Sequence, residues 1–117
     1  SDTELEQHVG CFLNLNEILR NSMGEDAILG HSYLFEMIEE GVDDNGERYG
    51  IRDQNELLMI WKFSILPNIV DTLMLTQNFE LIDKINEALS NYKIPLALET
   101  LGHGLGEMIL VRGDGNV

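Results

Sequence analysis

The sequence predicts a mainly α fold, a small helical bundle that ends in a β-hairpin. Three observations carry that expectation. Apolar residues recur at spacings of three and four near the N-terminus and again after Asn78, the period of an amphipathic helix. The run from Leu57 to Leu66 is apolar on nearly every side, as a central helix touched by several neighbours would be. From Ile94 the period changes to two, and a Gly-rich stretch separates two short apolar segments. The helical part is accordingly assigned to residues 1–92, and a hairpin with its tail, packed on the same domain, to 93–117.

The first helix is read from Leu5, Val9, Phe12, Leu19 and Met23, with Asn16 filling the remaining position of the stripe. A buried amide without a partner is costly, so Asn16 is expected to fasten a neighbouring loop by bonding its backbone. Gly24 stops this helix. A shorter helix follows over about 32–40, its start capped by Ser32. Residues 41 to 53, with Asp43-Asp44-Asn45-Gly46 at their centre, read as a loop whose Asn-Gly turn allows a small hairpin between Val42 and Tyr49. An EF-hand alignment on this loop places Gly41 at the first ligand and Arg52 at the bidentate glutamate, so a solvated turn is preferred to a calcium site.

Pro67 cannot donate to the carbonyl of Phe63 and is expected to bend the central helix or split it from one that runs through Leu75. Asn78 is the expected N-cap of a last helix carrying Leu81, Ile82, Ile85, Leu89 and Tyr92. Ile94, Leu96 and Leu98 alternate, Met108 to Val111 form the facing strand, and Gly102-His103-Gly104-Leu105-Gly106 supplies the turn. That stretch has neither the lysine of a phosphate loop nor the Gly-x-Gly-x-x-Gly order leading into a helix.

At 117 residues and 44% hydrophobic content the chain can build one modest core, which makes disorder an unattractive reading. Its formal charge of -14 opposes phosphate backbones, and no cluster of Lys and Arg offsets it, so direct nucleic-acid binding is not expected. A single cysteine, Cys11, suits a reducing cytosol and reads as a buried, inert thiol. No uninterrupted apolar stretch approaches roughly 18 residues, so no membrane span is expected, and the N-terminus lacks the zones of a signal peptide. The start Ser1-Asp2-Thr3, without Met, suits a piece of a longer protein.

Catalytic chemistry finds no constellation to occupy. His8, His31 and His103 lie far apart and lack the spacing of a zinc site, so structural histidines are the default. His31 and Ser32 are adjacent, and adjacent helical residues point apart, so they make no nucleophile-base pair. The acids are plentiful but no catalytic pair is singled out by spacing. Arg112-Gly113-Asp114 is taken as a coincidental tripeptide near the chain end.

Leu15-Asn16-Glu17-Ile18, followed by Gly30-His31-Ser32-Tyr33 and then Ile65-Leu66-Pro67 with Asp71, resembles the C-terminal lid of McrB-type AAA+ nucleoside triphosphatases, the motors of modified-DNA restriction systems. The resemblance covers residues 10–75 and offers no counterpart for 76–117. It implies an AAA+ lid-like fold and a non-catalytic role, that of coupling nucleotide state to subunit arrangement. The implied partners are a missing AAA+ core, neighbouring ring subunits and a nuclease; GTP or ATP with magnesium would be bound by the parent protein, and no cofactor by this piece. His31, Ser32 and Tyr33 become the nucleotide-facing candidates, and Asn16, Gly30 and Pro67 the structural motif. No Walker A run is present, so the chain itself is not expected to be an enzyme. An independent acidic helical adaptor that binds a basic protein is the alternative.

Overall fold

The computed structural model describes residues 2–38, 41–42, 44–46, 48–49, 53–103 and 106–113. Among the described residues five α-helical segments carry the fold, α3 and α4 being parts of one continuous helix: α1 (Asp2–Met23), α2 (Ser32–Met37), α3 (Gln54–Ile60), α4 (Leu66–Thr76) and α5 (Ile82–Asn91). Two short strands, β1 (Gly41–Val42) and β2 (Arg48–Tyr49), pair antiparallel around the Asn45-Gly46 turn. A longer antiparallel pair, β3 (Leu96–His103) and β4 (Gly106–Gly113), closes the chain. The fold is therefore mainly helical with a C-terminal hairpin. Asp43, Gly50, Arg52, Gly104, Leu105 and Asp114, on which parts of the loop, turn and tripeptide readings rest, lie outside the described residues.

One apolar core runs through the molecule. Phe12, Leu15 and Leu19 of α1, Trp61, Leu66, Ile69 and Leu73 of the central helix, and Ile85 and Leu89 of α5 are all buried in it. Leu96, Leu98 and Ile109 of the hairpin join the same cluster, β3 packing on α5 and β4 on α4. Strand alternation explains this. With Leu98 opposite Val111 and Thr100 opposite Ile109, one face of the pair turns Leu96, Leu98, Ile109 and Val111 toward the helices, and Leu101, Met108 and Leu110 fall on the other.

α1 ends at Gly24, whose φ of 90° and ψ of -178° lie in a region reserved for glycine. Gly10 serves a different purpose: a Cβ there would stand 2.7 Å from the ring of Tyr92, so its absence lets α1 lie against the end of α5. α2 is shorter than expected and stops at Met37. Its N-cap is His31, not Ser32, and no side-chain bond caps it. α3 starts with a capping box that the periodicity did not reveal: the Glu56 N–H donates to Asp53 Oδ1 at 2.8 Å, and the Asp53 N–H donates to Glu56 Oε1 at 3.5 Å.

Pro67 does not split the central helix. Helix continues from Gln54 to Thr76, and a π turn over Trp61–Ile65 absorbs the conflict, with the Leu66 N–H donating to the Trp61 carbonyl five residues back. The extra residue places Pro67 at the start of α4, where its missing N–H and fixed φ are tolerated. The helix is also not apolar-faced inward all round, since Met59 and Phe63 are exposed. By length and composition Gln54–Thr76 could cross a membrane, but it is the core helix, with half of its most apolar stretch buried in the fold. α4 ends on Gln77 in the left-handed conformation. Asn78 is the N-cap of a 3-10 turn, Phe79–Leu81, that runs into α5, but its side chain makes no capping bond.

Candidate functional site

The segments singled out in the sequence converge at one corner of α1, α2 and α4. Asn16 projects from the buried side of α1 and grips the chain ahead of α2. Its Oδ1 accepts from the Leu29 N–H at 2.7 Å and its Nδ2 donates to the Leu29 carbonyl at 3.2 Å. An amide side chain here replaces a strand partner, satisfying both polar groups of a buried backbone unit.

From that fixed point Gly30 and His31 lead into α2. Gly30 is exposed, does not have positive φ, and would offer an added Cβ only an ordinary contact of 3.8 Å with Ser32 Oγ, so local geometry does not require glycine there. His31 and Ser32 are exposed at the helix start. Tyr33 turns inward, half-buried, with its ring tilted against Phe12 at 6.1 Å between centroids. Its hydroxyl accepts from Asn68 Nδ2 at 2.8 Å, so the residue after Pro67 is tied to the Gly-His-Ser-Tyr segment. Pro67 acts through position, setting the start of α4 from which Asn68 reaches Tyr33. Asp71 is exposed one turn further on.

The hardest electrostatic constraint lies elsewhere, where α1 meets the central helix. His8 is buried with no accessible surface, between Trp61 and Gln54. Trp61 Nε1–H donates to His8 Nδ1 at 2.8 Å, and the other ring nitrogen, Nε2, is 2.9 Å from Gln54 Oε1. An indole can only donate and a carboxamide oxygen can only accept, so the imidazole is neutral with its proton on Nε2. Burial lowers its pKa, while the bond to Gln54 and the nearby Glu4 carboxylate oppose that shift. Cys11 sits on the same side of α1, its thiol pushed up to about 12 by burial and directed at the Ala88 carbonyl 3.9 Å away. Such a thiol is not a nucleophile at neutral pH.

Chemically, the corner holding His31, Ser32 and Tyr33 can offer polar contacts from exposed side chains on a clamped backbone. It brings together no nucleophile, base and orienting group. Among the described residues no three His, Cys, Asp or Glu side chains are grouped to hold a metal ion. A concavity of about 440 Å³ opens between the end of α5 and the base of the hairpin, lined by Asn86, Lys93, Pro95 and Arg112, far in sequence from this corner. Arg112 Nε is 3.6 Å from a Glu99 carboxylate oxygen.

Sequence reasoning missed three of these polar contributors, Asn68, Gln54 and Asn86, and for His8 it gave a structural role without its partners. Asn68 and Gln54 had no signal beyond their residue type. His8 falls three residues after Leu5 and four before Phe12, on the apolar stripe itself, and that position could have identified it. Asn86 repeats the Asn16 device, its Oδ1 accepting from the Leu98 N–H at 2.7 Å and its Nδ2 donating to the Leu98 carbonyl at 2.9 Å. Comparison with protein-family models, curated proteins and solved structures finds no match to this chain.

Proposed function

We propose that the chain is a non-catalytic lid of a restriction-associated AAA+ nucleoside triphosphatase, which couples nucleotide state to the arrangement of neighbouring subunits. The observation that carries this reading is the convergence of the three resembling segments. Asn16 holds the backbone at Leu29, the next residues present His31 and Ser32 outward, and Tyr33 is bonded to Asn68 beside Pro67. Backbone clamping of this kind fixes a polar edge rigidly enough to sense whether a facing surface is loaded. Phe35 on the same short helix and Ile38 at its C-cap, both exposed, supply apolar area suited to docking against a nucleotide-binding core. The mechanism is rigid-body rotation of the helical unit as that core binds or releases GTP or ATP with magnesium, with the nuclease partner driven by the assembled ring. The isolated chain lacks a phosphate loop and hydrolyses neither nucleotide.

Two measurements test the reading. The gene that encodes this chain should carry a Walker A strand, loop and helix upstream. In the full-length protein, His31→Ala with Ser32→Ala should weaken nucleotide binding or turnover at least several-fold without changing the unfolding of the isolated chain. Full turnover in that double variant, or a gene without a Walker A segment, overturns the proposal. The charge of -14 favours a second reading, an acidic adaptor for a basic protein. Salt-sensitive capture of a basic partner by this chain alone, from a gene with no nucleotide-binding segment, would select it.

A further inference from the structure

Among the described residues the C-terminal hairpin leaves one strand edge without a strand partner, and its chemistry differs from that of the remaining surface. Leu98 spends both its N–H and its carbonyl on Asn86, so these groups point away from β4, and Leu98 with Val111 is a non-hydrogen-bonded pair. Parity then turns the N–H and carbonyl groups of Glu107, Ile109 and Val111 toward the far edge of β4. Among the described residues no hydrogen bond takes them up. On β3 the corresponding edge is occupied by Asn86. Among the described residues no side chain bonds the edge of β4 in this way, and β4 itself contains neither a proline nor a lysine.

Charge identifies the occupant. The chain carries -14, yet residues 96–113 contain only two acids, Glu99 and Glu107, against Arg112, and Glu99 and Arg112 form an ion pair. A partner recruited by acidity gains little here, whereas a second copy meets its least repulsive surface. The strand is also self-complementary. Antiparallel pairing about a two-fold axis at Leu110 sets Leu110 opposite Leu110 of the second copy, Ile109 opposite Val111, Met108 opposite Arg112, and Glu107 opposite Gly113. No like charges face each other, and the outward N–H and carbonyl groups of Ile109 and Val111 fall into hydrogen-bonded pairs. On the outer face Leu101 lies opposite Met108, and Met108 and Leu110 are 53% and 43% exposed. Joined across the axis, these residues form one apolar stripe over a four-stranded sheet.

We propose that β4 is a homodimerisation edge, through which two copies of this chain pair as a continuous antiparallel sheet with Leu110 on the two-fold axis. This inference is independent of the lid reading, which uses α2 and the loop before it.

The test is sedimentation of the 117-residue chain over a wide concentration range, together with four single variants. The parent chain should pass from monomer to dimer with rising concentration. Leu110→Lys places two ammonium groups at the axis, and Val111→Pro removes an outward N–H without removing a bond to β3; both should remain monomeric with unchanged helical circular dichroism. Leu110→Cys should form a disulfide-linked dimer under mild oxidation, because facing residues of a non-hydrogen-bonded pair have Cα atoms about 4.5 Å apart, within the range a disulfide spans. Met108→Cys, facing Arg112, should not. A chain that stays monomeric throughout, or a dimer that survives Leu110→Lys, overturns the proposal; Leu110 is exposed, so this variant tests the edge even if Val111→Pro fails to fold. Shifts of β4 amide signals in a monomer on adding an oligolysine peptide would assign the edge to a basic partner instead and also overturn it.

Discussion

His8 links the protonation of one side chain to the attachment of α1 to the core. Protonating Nδ1 would set a second donor against the Trp61 N–H and place a cation in a site that already disfavours it by burial. The folded-state pKa is lowered, so between the ordinary value of about 6.5 and the folded value the unfolded chain binds more protons. Stability from this group is therefore complete above that ordinary value and is lost as pH falls toward the folded one. The urea midpoint should drop on going from pH 7.5 to 5.5, and His8→Gln should flatten that decline; an unchanged slope in the variant would show that His8 does not cause it. Cys11 acts at the other end of the scale, because its thiol stays protonated in the fold while an unfolded thiol ionises above about 9. Trp61→Ala removes both a fully buried ring and the donor to His8, and should cost roughly 3–5 kcal/mol. Asn16→Ala leaves the buried Leu29 N–H and carbonyl without partners and should cost roughly 2–4 kcal/mol. Both costs are read from equilibrium urea unfolding. Asn16 was legible in the sequence because a lone amide on an apolar stripe has to find a backbone partner. Asn86 was not, because it is only half-buried and its partner Leu98 lies on a strand whose position the helix pattern does not set.

At the level of elements, the central helix shows how a proline is accommodated without a break. Leu57, Leu58 and Ile60 are buried before the irregularity, Trp61 and Ile65 within it, and Leu66, Ile69, Val70 and Leu73 after it. A straight α-helix continuing from Trp61 would bring position 68 inward, yet Asn68 is exposed and Ile69 buried. The buried face has slipped by one residue, the signature of a single inserted position taken up by a π turn. Deleting Ser64, a half-buried residue within the turn, should restore α pitch with the same faces inward on both sides. The deletion then exposes the Pro67 conflict and should cost about 3 kcal/mol, the penalty of proline inside an α-helix. Combining it with Pro67→Ala should recover most of that loss in equilibrium unfolding. If the double change unfolds the protein, the π turn is itself required for packing. Only part of this was readable beforehand. Proline announced a conflict at 67, but the unbroken apolar run from Leu57 to Leu66 hid which faces were inward, and so hid the slip. The hairpin was clearer, since a change of period from about four to two at Ile94 leaves little competition between helix and strand.

For the whole molecule the dominant electrostatic fact is 21 acids against 7 bases in a chain with one small core. Two ion pairs among the described residues, Arg20 with Glu25 at 3.5 Å and Arg112 with Glu99 at 3.6 Å, are exposed and contribute little. Repulsion among the surplus carboxylates acts on the compact state more than on an expanded one, because folding brings like charges closer together. Screening should therefore stabilise this protein. Raising sodium chloride from about 10 mM to 150 mM shortens the Debye length from roughly 30 Å to 8 Å, less than the span of the helical layer. A gain of about 1 kcal/mol would raise the melting temperature by roughly 4 °C. Duplex DNA should fail to bind over the same salt range, since the same charge opposes counterion release. A melting temperature that falls with salt would mean that attractive pairs outweigh the surplus. The sign of the salt response thus tells whether the acidic surface is a burden on the isolated chain, which a basic or core-bound partner would relieve.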